Sequence, residues 1–272
     1  MTGRHPGRVP VDKMPLLEIV VGAQTGDETL ARALDFARQI EKTPIVVTDV
    51  YGFYANRVIM QFVDQALSMT AEGAHPASVE QAATQAGFPV GVLALLDEIN
   101  MKTIQKINRG FSAIATENPA FAQTPGSHLV DRMVEEFERP GRLEGNGFYS
   151  YAEDGTRLGL WPALIQHYHR PEVDLPFEDM TERLPVAAAL EAARCYEKGI
   201  VRSSADANIG SIFGIGFPAW TGGTLQYIDQ YEGGPAGFAA RADELRAKYG
   251  DRFIVPENVR ACAAAGEFLS RS

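Results

Sequence analysis

The chain has 272 residues, with 25 Lys+Arg against 35 Asp+Glu, so its formal charge is 25 − 35 = −10. Its hydrophobic share of 45% and charged share of 22% are those of a globular chain with a core, which excludes disorder and a collagen-like repeat. The acidic excess weighs against a grip on phosphate backbones, which runs on Lys/Arg counterion release, and no apolar run approaches the ~20 residues that cross a bilayer.

The first ten residues, MTGRHPGRVP, carry Pro, Gly and basic residues without periodicity. A compact β-α-β pattern follows. The run Leu16 to Val21, ended by Gly22, reads as a buried strand. Thr25-Gly26-Asp27-Glu28 opens a helix, with acidic groups at the positive end of the helix dipole. Leu30, Ala33, Leu34, Ala37 and Ile40 continue it at helical spacing, and residues 44–48 form a second strand. Two strands alone bury no sheet, so this reads as the tail of an α/β domain.

From Phe53 onward the pattern becomes helical. Val58, Ile59, Phe62, Val63, Ala66, Leu67 and Met69 mark one broad face of a helix over 56–72, stopped by Gly73. Ser78 is expected to cap a short helix running to Ala86. Gly87-Phe88-Pro89 breaks it, and another helix is expected over Val92–Met101. Residues 117–127 and the stretch from Arg139 to Tyr151 read as irregular.

The second half echoes the first. Residues 66–80 and 192–206 correspond at an offset of 126, with Gly73 on Gly199, Ser78 on Ser204 and Glu80 on Asp206. After a slip of three, Gly87-Phe88-Pro89 answers Gly216-Phe217-Pro218. Two similar helical units, each burying an apolar face, account for this order.

Several stretches resemble the 3-hydroxyacyl-CoA dehydrogenase family, in particular the dehydrogenase part of multifunctional fatty acid oxidation α-subunits. Pro10-Val11-Asp12-Lys13-Met14-Pro15-Leu16-Leu17-Glu18 is similar to the family's stretch after its catalytic histidine. Lys42 to Val47, then Gly52-Phe53-Tyr54-Ala55-Asn56-Arg57, resemble its interdomain strand and the start of its C-terminal domain. Ala86 to Gly91 with Leu95-Leu96-Asp97-Glu98 resemble the first helical repeat. Gly145-Asn146-Gly147-Phe148-Tyr149 resembles the loop before the second, and Cys195, Gly199, Ala205-Asp206, Gly216-Phe217-Pro218 and Gly222-Gly223 resemble that second repeat.

The resemblance implies a mainly α fold: two tandem helical repeats of the family's C-terminal type, preceded by the last β-α-β of a truncated Rossmann domain. The expected boundaries are 1–50 for the remnant of the NAD-binding domain, 51–140 for the first repeat, 141–182 for a linker and 183–272 for the second repeat. It implies NAD-dependent oxidation of 3-hydroxyacyl-CoA to 3-ketoacyl-CoA in fatty acid β-oxidation, with acyl-CoA as the substrate class. In the family a histidine takes the hydroxyl proton, a glutamate twelve residues later orients it, and an asparagine helps hold the substrate oxygen. Glu18 corresponds to that glutamate and Asn56 to that asparagine, 38 residues further on.

The histidine does not carry over: twelve residues before Glu18 stands Pro6, and His5 lies one residue out of register in a Pro/Gly/Arg context. Strands alternate faces, so His5 serves as the base only if the backbone rearranges. No Gly-x-Gly-x-x-Gly turn follows a strand to meet a pyrophosphate. The spaced glycines Gly210, Gly214 and Gly216 fall in the second helical repeat. The expectation is therefore a truncated or degenerate member, inactive alone and binding NAD poorly. Its alternatives are an assembly or dimerisation module among β-oxidation subunits, or half of a split enzyme whose missing half supplies the dinucleotide domain.

Other features have plainer readings. Tyr51-Gly52-Phe53-Tyr54 reads as packing at a domain junction rather than an adenine stack. His167 and His169 face apart at i and i+2, so no metal pair is expected. Cys195 and Cys262 form no disulfide framework and no Cys-x-x-Cys motif, and no apolar stretch follows the basic N-terminal residues. A cytoplasmic setting is expected.

Overall fold

A computed structural model describes residues 13–116 and 118–271. The chain is mainly helical and divides into two compact units. One runs from Phe62 to Leu184; the other joins the described residues up to Gln61 with those from Pro185 onward. The division falls inside two long helices, α2 (Ala55–Glu72) and α8 (Phe177–Glu197).

The unit that holds the N-terminal segment begins with β1 (Leu16–Val21), α1 (Asp27–Gln39) and β2 (Thr43–Thr48). The two strands pair in parallel, Leu16 against Thr43 through Val21 against Thr48, as a helical crossover requires. The far edge of β2 is closed by residues 199–201: Val47 bridges Val201, and the Thr48 N–H donates to the Ile200 carbonyl at 2.9 Å. Mainly α with a small N-terminal parallel sheet is the architecture the sequence predicts. The unit is completed by α9 (Ser204–Ile215), α10 (Thr224–Asp229), α11 (Gly234–Tyr249) and α12 (Glu257–Ala265).

The spaced glycines have a packing role. A Cβ at Gly210 would stand 2.8 Å from Ile45 Cδ1, and one at Gly214 would stand 2.6 Å from Leu16 Cδ2. Glycine at these two positions lets α9 lie directly on the parallel strands and on Tyr54 at the entry to α2. Tyr54 is fully buried. Its hydroxyl donates to the Ala207 carbonyl at 2.7 Å and meets Thr224 Oγ1 at 3.1 Å. Of the aromatic cluster, then, Tyr54 is core, whereas Tyr51 stays 47% exposed.

The other unit contains α3 (Pro76–Gln85), α4 (Val92–Ile99), α5 (Met101–Ser112), α6 (Pro125–Glu135), the hairpin β3 (Tyr149–Tyr151) and β4 (Arg157–Leu160), and α7 (Pro162–Tyr168). The cap of α3 is His75, whose Nδ1 accepts the Ala77 N–H at 3.2 Å, rather than Ser78. The helix expected over 92–101 breaks at Asn100 (φ 86), whose side chain then caps α5. Sequence periodicity misses this break because both helices keep the apolar face inward.

Residues 141–182, expected as a linker, hold the hairpin and α7 and are tied to α4. Buried Asp97 accepts the Phe148 N–H at 2.7 Å, the Tyr149 N–H at 2.9 Å and the Tyr151 hydroxyl at 2.8 Å. Gly147 is needed beside it, because a Cβ there would collide with the Asp97 carboxylate. At the start of α4, Glu80 accepts the Ala94 N–H at 2.9 Å.

The 126-residue offset reappears in side-chain contacts. Arg57 Nε donates to Glu191 Oε1 at 2.9 Å, and Arg183 Nε donates to Gln65 Oε1 at 3.2 Å; both 183 − 57 and 191 − 65 equal 126. Beyond the Gly-Phe-Pro turns the amide clamps also correspond. Asp97 holds two N–H groups of residues 148 and 149, and Asp229 holds those of Leu269 and Ser270 at 2.8 and 2.9 Å. The counterpart of Glu80, however, is Asn208, whose Oδ1 accepts the Leu225 and Gln226 N–H groups. Asp206, matched to Glu80 in the sequence, points instead to the Val46 N–H at 3.4 Å.

Burial raises the Glu80 carboxyl to about 7 and that of Asp97 to about 6, against the pull of the N–H groups each accepts. Arg157, Tyr149 and Asp97 face Glu80; Arg139 and Tyr151 face Asp97. Both folded values lie above those of an unfolded chain, so their stabilising contribution is full below about pH 4 and is lost as pH rises through 6 and 7. Urea unfolding should therefore show this contribution falling by on the order of 6 kcal/mol between pH 4 and pH 8. Glu80→Gln and Asp97→Asn should flatten that dependence; an unchanged pH profile in both variants would contradict the assignment. Asp97→Ala should cost about 3 kcal/mol at pH 7.

Candidate functional site

The site read from the sequence gathers at the entry to α2. Glu18 is the third residue of β1 and shares its strand face with Leu16, because alternate residues point the same way. Leu16 lies against α9. Its half-buried carboxylate reaches the start of α2, where Oε1 accepts the Tyr54 and Ala55 N–H groups, both at 3.0 Å. The first N–H groups of a helix have no intrahelical partner. Glu18 satisfies them from a point 36 and 37 residues away in sequence, and its negative charge sits at the positive end of the dipole.

Burial raises the Glu18 carboxyl above the ordinary glutamate value, while the two backbone bonds oppose that rise. Among the described residues none donates to Oε2, so one oxygen is committed to α2 and the other is open. A carboxylate held this way accepts one further N–H in a fixed direction and stabilises a cation formed there.

Asn56 follows Ala55 directly and lies in the first turn of α2 with its side chain exposed. It is not the N-cap of that helix: α2 begins at Ala55, and the capping acceptor is Glu18. Glu18 and Asn56 are thus brought together at one helix terminus, two positions that strand alternation and helix periodicity leave unrelated. His5 lies outside the described residues.

Arg57, the next residue, was not singled out by sequence reasoning. It is 5% exposed and carries the ion pair with fully buried Glu191. Glu191 Oε2 also takes Arg194 Nη1 at 3.2 Å, and Arg57 Nη1 donates to the Tyr51 carbonyl at 3.2 Å. This network anchors the first turn of α2. Its only sequence signal is a pair of charges on otherwise apolar helix faces. Cys195 packs beside it, buried, its thiol raised by desolvation; that is a structural cysteine rather than a nucleophile.

The described residues do not fit the pyrophosphate of NAD. The strand-to-helix turn available is Gly22 to Gly26, between β1 and α1. It closes on itself, the Gly22 N–H donating to Thr25 Oγ1 and the Thr25 N–H to the Gly22 carbonyl, each at 3.1 Å. Asp27 and Glu28 occupy the first turn of α1, where a bound phosphate would need positive potential. His167 lies against Phe137, and His169 Nδ1 meets the Gly73 carbonyl at 3.1 Å. Among the described residues no group of three or more His, Cys, Asp or Glu is placed to hold a metal ion, and no helix is long and apolar enough to cross a membrane.

If Glu18 caps α2, Glu18→Ala should lower the unfolding free energy by about 2 kcal/mol. Glu18→Gln keeps an amide oxygen for the same two N–H groups and should stay within about 1 kcal/mol of the parent. Urea unfolding followed by circular dichroism separates these outcomes. Equal stability of the alanine variant and the parent would contradict the cap.

Residues 1–50 match the NAD binding domain of 3-hydroxyacyl-CoA dehydrogenase, and residues 52–151 match its C-terminal domain. Among solved structures, the chain is similar to 3-hydroxybutyryl-CoA dehydrogenase from Escherichia coli K12 substr. MG1655. The TM-score is 0.75 at 17% identity, covering 94% of this chain and 69% of that one. It is also similar to the dehydrogenase part of multifunctional enzyme 1 from C. elegans, with a TM-score of 0.64 at 21% identity, over 91% of this chain and 56% of that one. At these identities the likeness is one of fold. The chain spans about two thirds of the first relative's length and little more than half of the second's. With both family domains matched in order along residues 1–151, the chain belongs to the 3-hydroxyacyl-CoA dehydrogenase family.

Proposed function

We propose that this chain carries the orienting and substrate-holding half of an NAD-dependent 3-hydroxyacyl-CoA dehydrogenase of fatty acid β-oxidation. The observation that carries this reading is the Glu18 carboxylate, with Oε1 fixed by the Tyr54 and Ala55 N–H groups and Oε2 open. That oxygen is the acceptor for an imidazole N–H. It sets the tautomer so that the other ring nitrogen takes the hydroxyl proton, and it stabilises the imidazolium that forms. Asn56 presents its amide from the exposed first turn of α2 to the substrate oxygen.

The chain acts on acyl-CoA in this reading, and it works in the cytoplasm. The same reading makes it inactive alone. The β1–α1 turn opposes a dinucleotide through Asp27 and Glu28, and Pro6 stands where the orienting spacing calls for histidine. Turnover then requires a dinucleotide-binding half bearing the histidine. The match of residues 1–50 to the family's NAD binding domain supports the sheet of β1 and β2 as the seam to which that half joins.

Mixed with NAD and 3-hydroxybutyryl-CoA, the purified chain should give no rise in NADH absorbance. Adding a Rossmann half with the histidine should produce NADH. In that mixture Glu18→Gln and Asn56→Ala should each lower kcat by at least about tenfold, with the folded signal unchanged. NADH formation by the chain alone, or full activity of both variants in the mixture, would contradict the proposal.

A further inference from the structure

The unit from Phe62 to Leu184 contains a cavity lined by none of the residues of the candidate site. Its volume is roughly 570 Å³, and its walls come from three segments: α3 with Glu80, Gln81 and Thr84; the turn Pro89-Val90-Gly91; and the hairpin with Tyr149, Arg157 and Leu160. The order of these segments in the fold explains the cavity. Glu80 pins the start of α4 to α3, and Asp97 pins the hairpin to α4, so α3, the turn and the hairpin border one space.

The chemistry of the walls is uneven. Pro89, Val90 and Leu160 are its apolar lining, and Val90 is 46% exposed. Arg157 lines the same cavity, its guanidinium 4.8 Å over the Tyr149 ring. Stacking fixes the plane of the guanidinium and leaves its N–H edge free to meet an acceptor. The Glu80 carboxyl faces Arg157, but among the described residues no salt bridge engages the guanidinium, whereas Arg139, Arg142 and Arg183 in the same unit all donate to protein oxygens.

Glu80 shares the cavity, but its oxygens are engaged by the Ala94 N–H and the Tyr149 hydroxyl. Its attraction for a cation is further reduced by its tendency to hold a proton near neutral pH. The open valence of the cavity is therefore cationic, alongside an apolar lining. We propose that this cavity is a binding site for a small aliphatic carboxylate, its head on Arg157 and its chain along Pro89, Val90 and Leu160. A planar carboxylate matches the guanidinium fork through two parallel hydrogen bonds. Gln81 and Thr84 line the same mouth and offer polar contacts to the head group.

Hexanoate is a suitable probe, titrated into the full-length chain by calorimetry with hexan-1-ol and hexyltrimethylammonium as comparators. Saturable hexanoate binding is expected, at least tenfold tighter than either comparator. Arg157→Gln should weaken it at least tenfold, and Arg157→Lys should recover part of that loss. Val90→Glu places an anion in the exposed lining of the cavity and should also weaken hexanoate. Both positions are exposed, so thermal melts of the variants should match the parent. Equal binding of hexan-1-ol and hexanoate, preferred binding of the ammonium compound, no hexanoate binding, or unchanged affinity in Arg157→Gln would each overturn the proposal.

Discussion

Carboxylates and amide side chains that accept backbone N–H groups from distant segments fix the elements of both units. Glu18 holds the start of α2, Glu80 the start of α4, Asp97 the hairpin, Asn208 the start of α10 and Asp229 the C-terminal turn. Each spans far more sequence than a local cap and supplies a partner that the end of a helix or the base of a loop otherwise lacks. The rest of the architecture depends on them. The two-stranded sheet is too small to bury itself, and the hairpin within the 141–182 segment is tied to α4 through Asp97.

Burial makes these groups costly to ionise, so the bonds that fix the fold also leave Glu18, Glu80 and Asp97 with raised proton affinity. For Glu80 and Asp97 that is a structural consequence, since both oxygens of Asp97 are spent on the protein. Glu18 differs in having one oxygen spent and one open. The same physical device thus yields a structural carboxylate where it is saturated and a candidate functional one where it is not.

Much of the fold is legible in the sequence because hydrophobic periodicity is local. β1, α1, β2 and α2 stand within a residue or two of their expected limits, and the correspondence between the two halves is visible in the order of helix, glycine and Gly-Phe-Pro. What was not legible are the interactions that join distant positions. Nothing near His75 marks it as a better cap than Ser78, since a ring nitrogen accepting an N–H two residues on depends on backbone angle. The ordering of 141–182 depends on Asp97, more than 40 residues earlier, and a helical pattern cannot reveal where a buried carboxylate points. The glycines of α9 were recognisable as unusual, but only their closeness to Ile45 and Leu16 shows that they serve packing. At the site, Glu18 and Asn56 were identified through resemblance and spacing. The bond that brings them together, and the Arg57–Glu191 pair beneath it, emerged only from the fold.

The N–H groups of Tyr54 and Ala55 hold the Glu18 carboxylate at the entry to α2. The most direct test is a pH titration of those two backbone amides by proton–nitrogen NMR. The account predicts that both amide protons shift together, with one midpoint above the ordinary glutamate value, and that the shared transition disappears in Glu18→Gln. Amides that titrate separately, that share a midpoint below the ordinary value, or that keep the transition in the glutamine variant would contradict it.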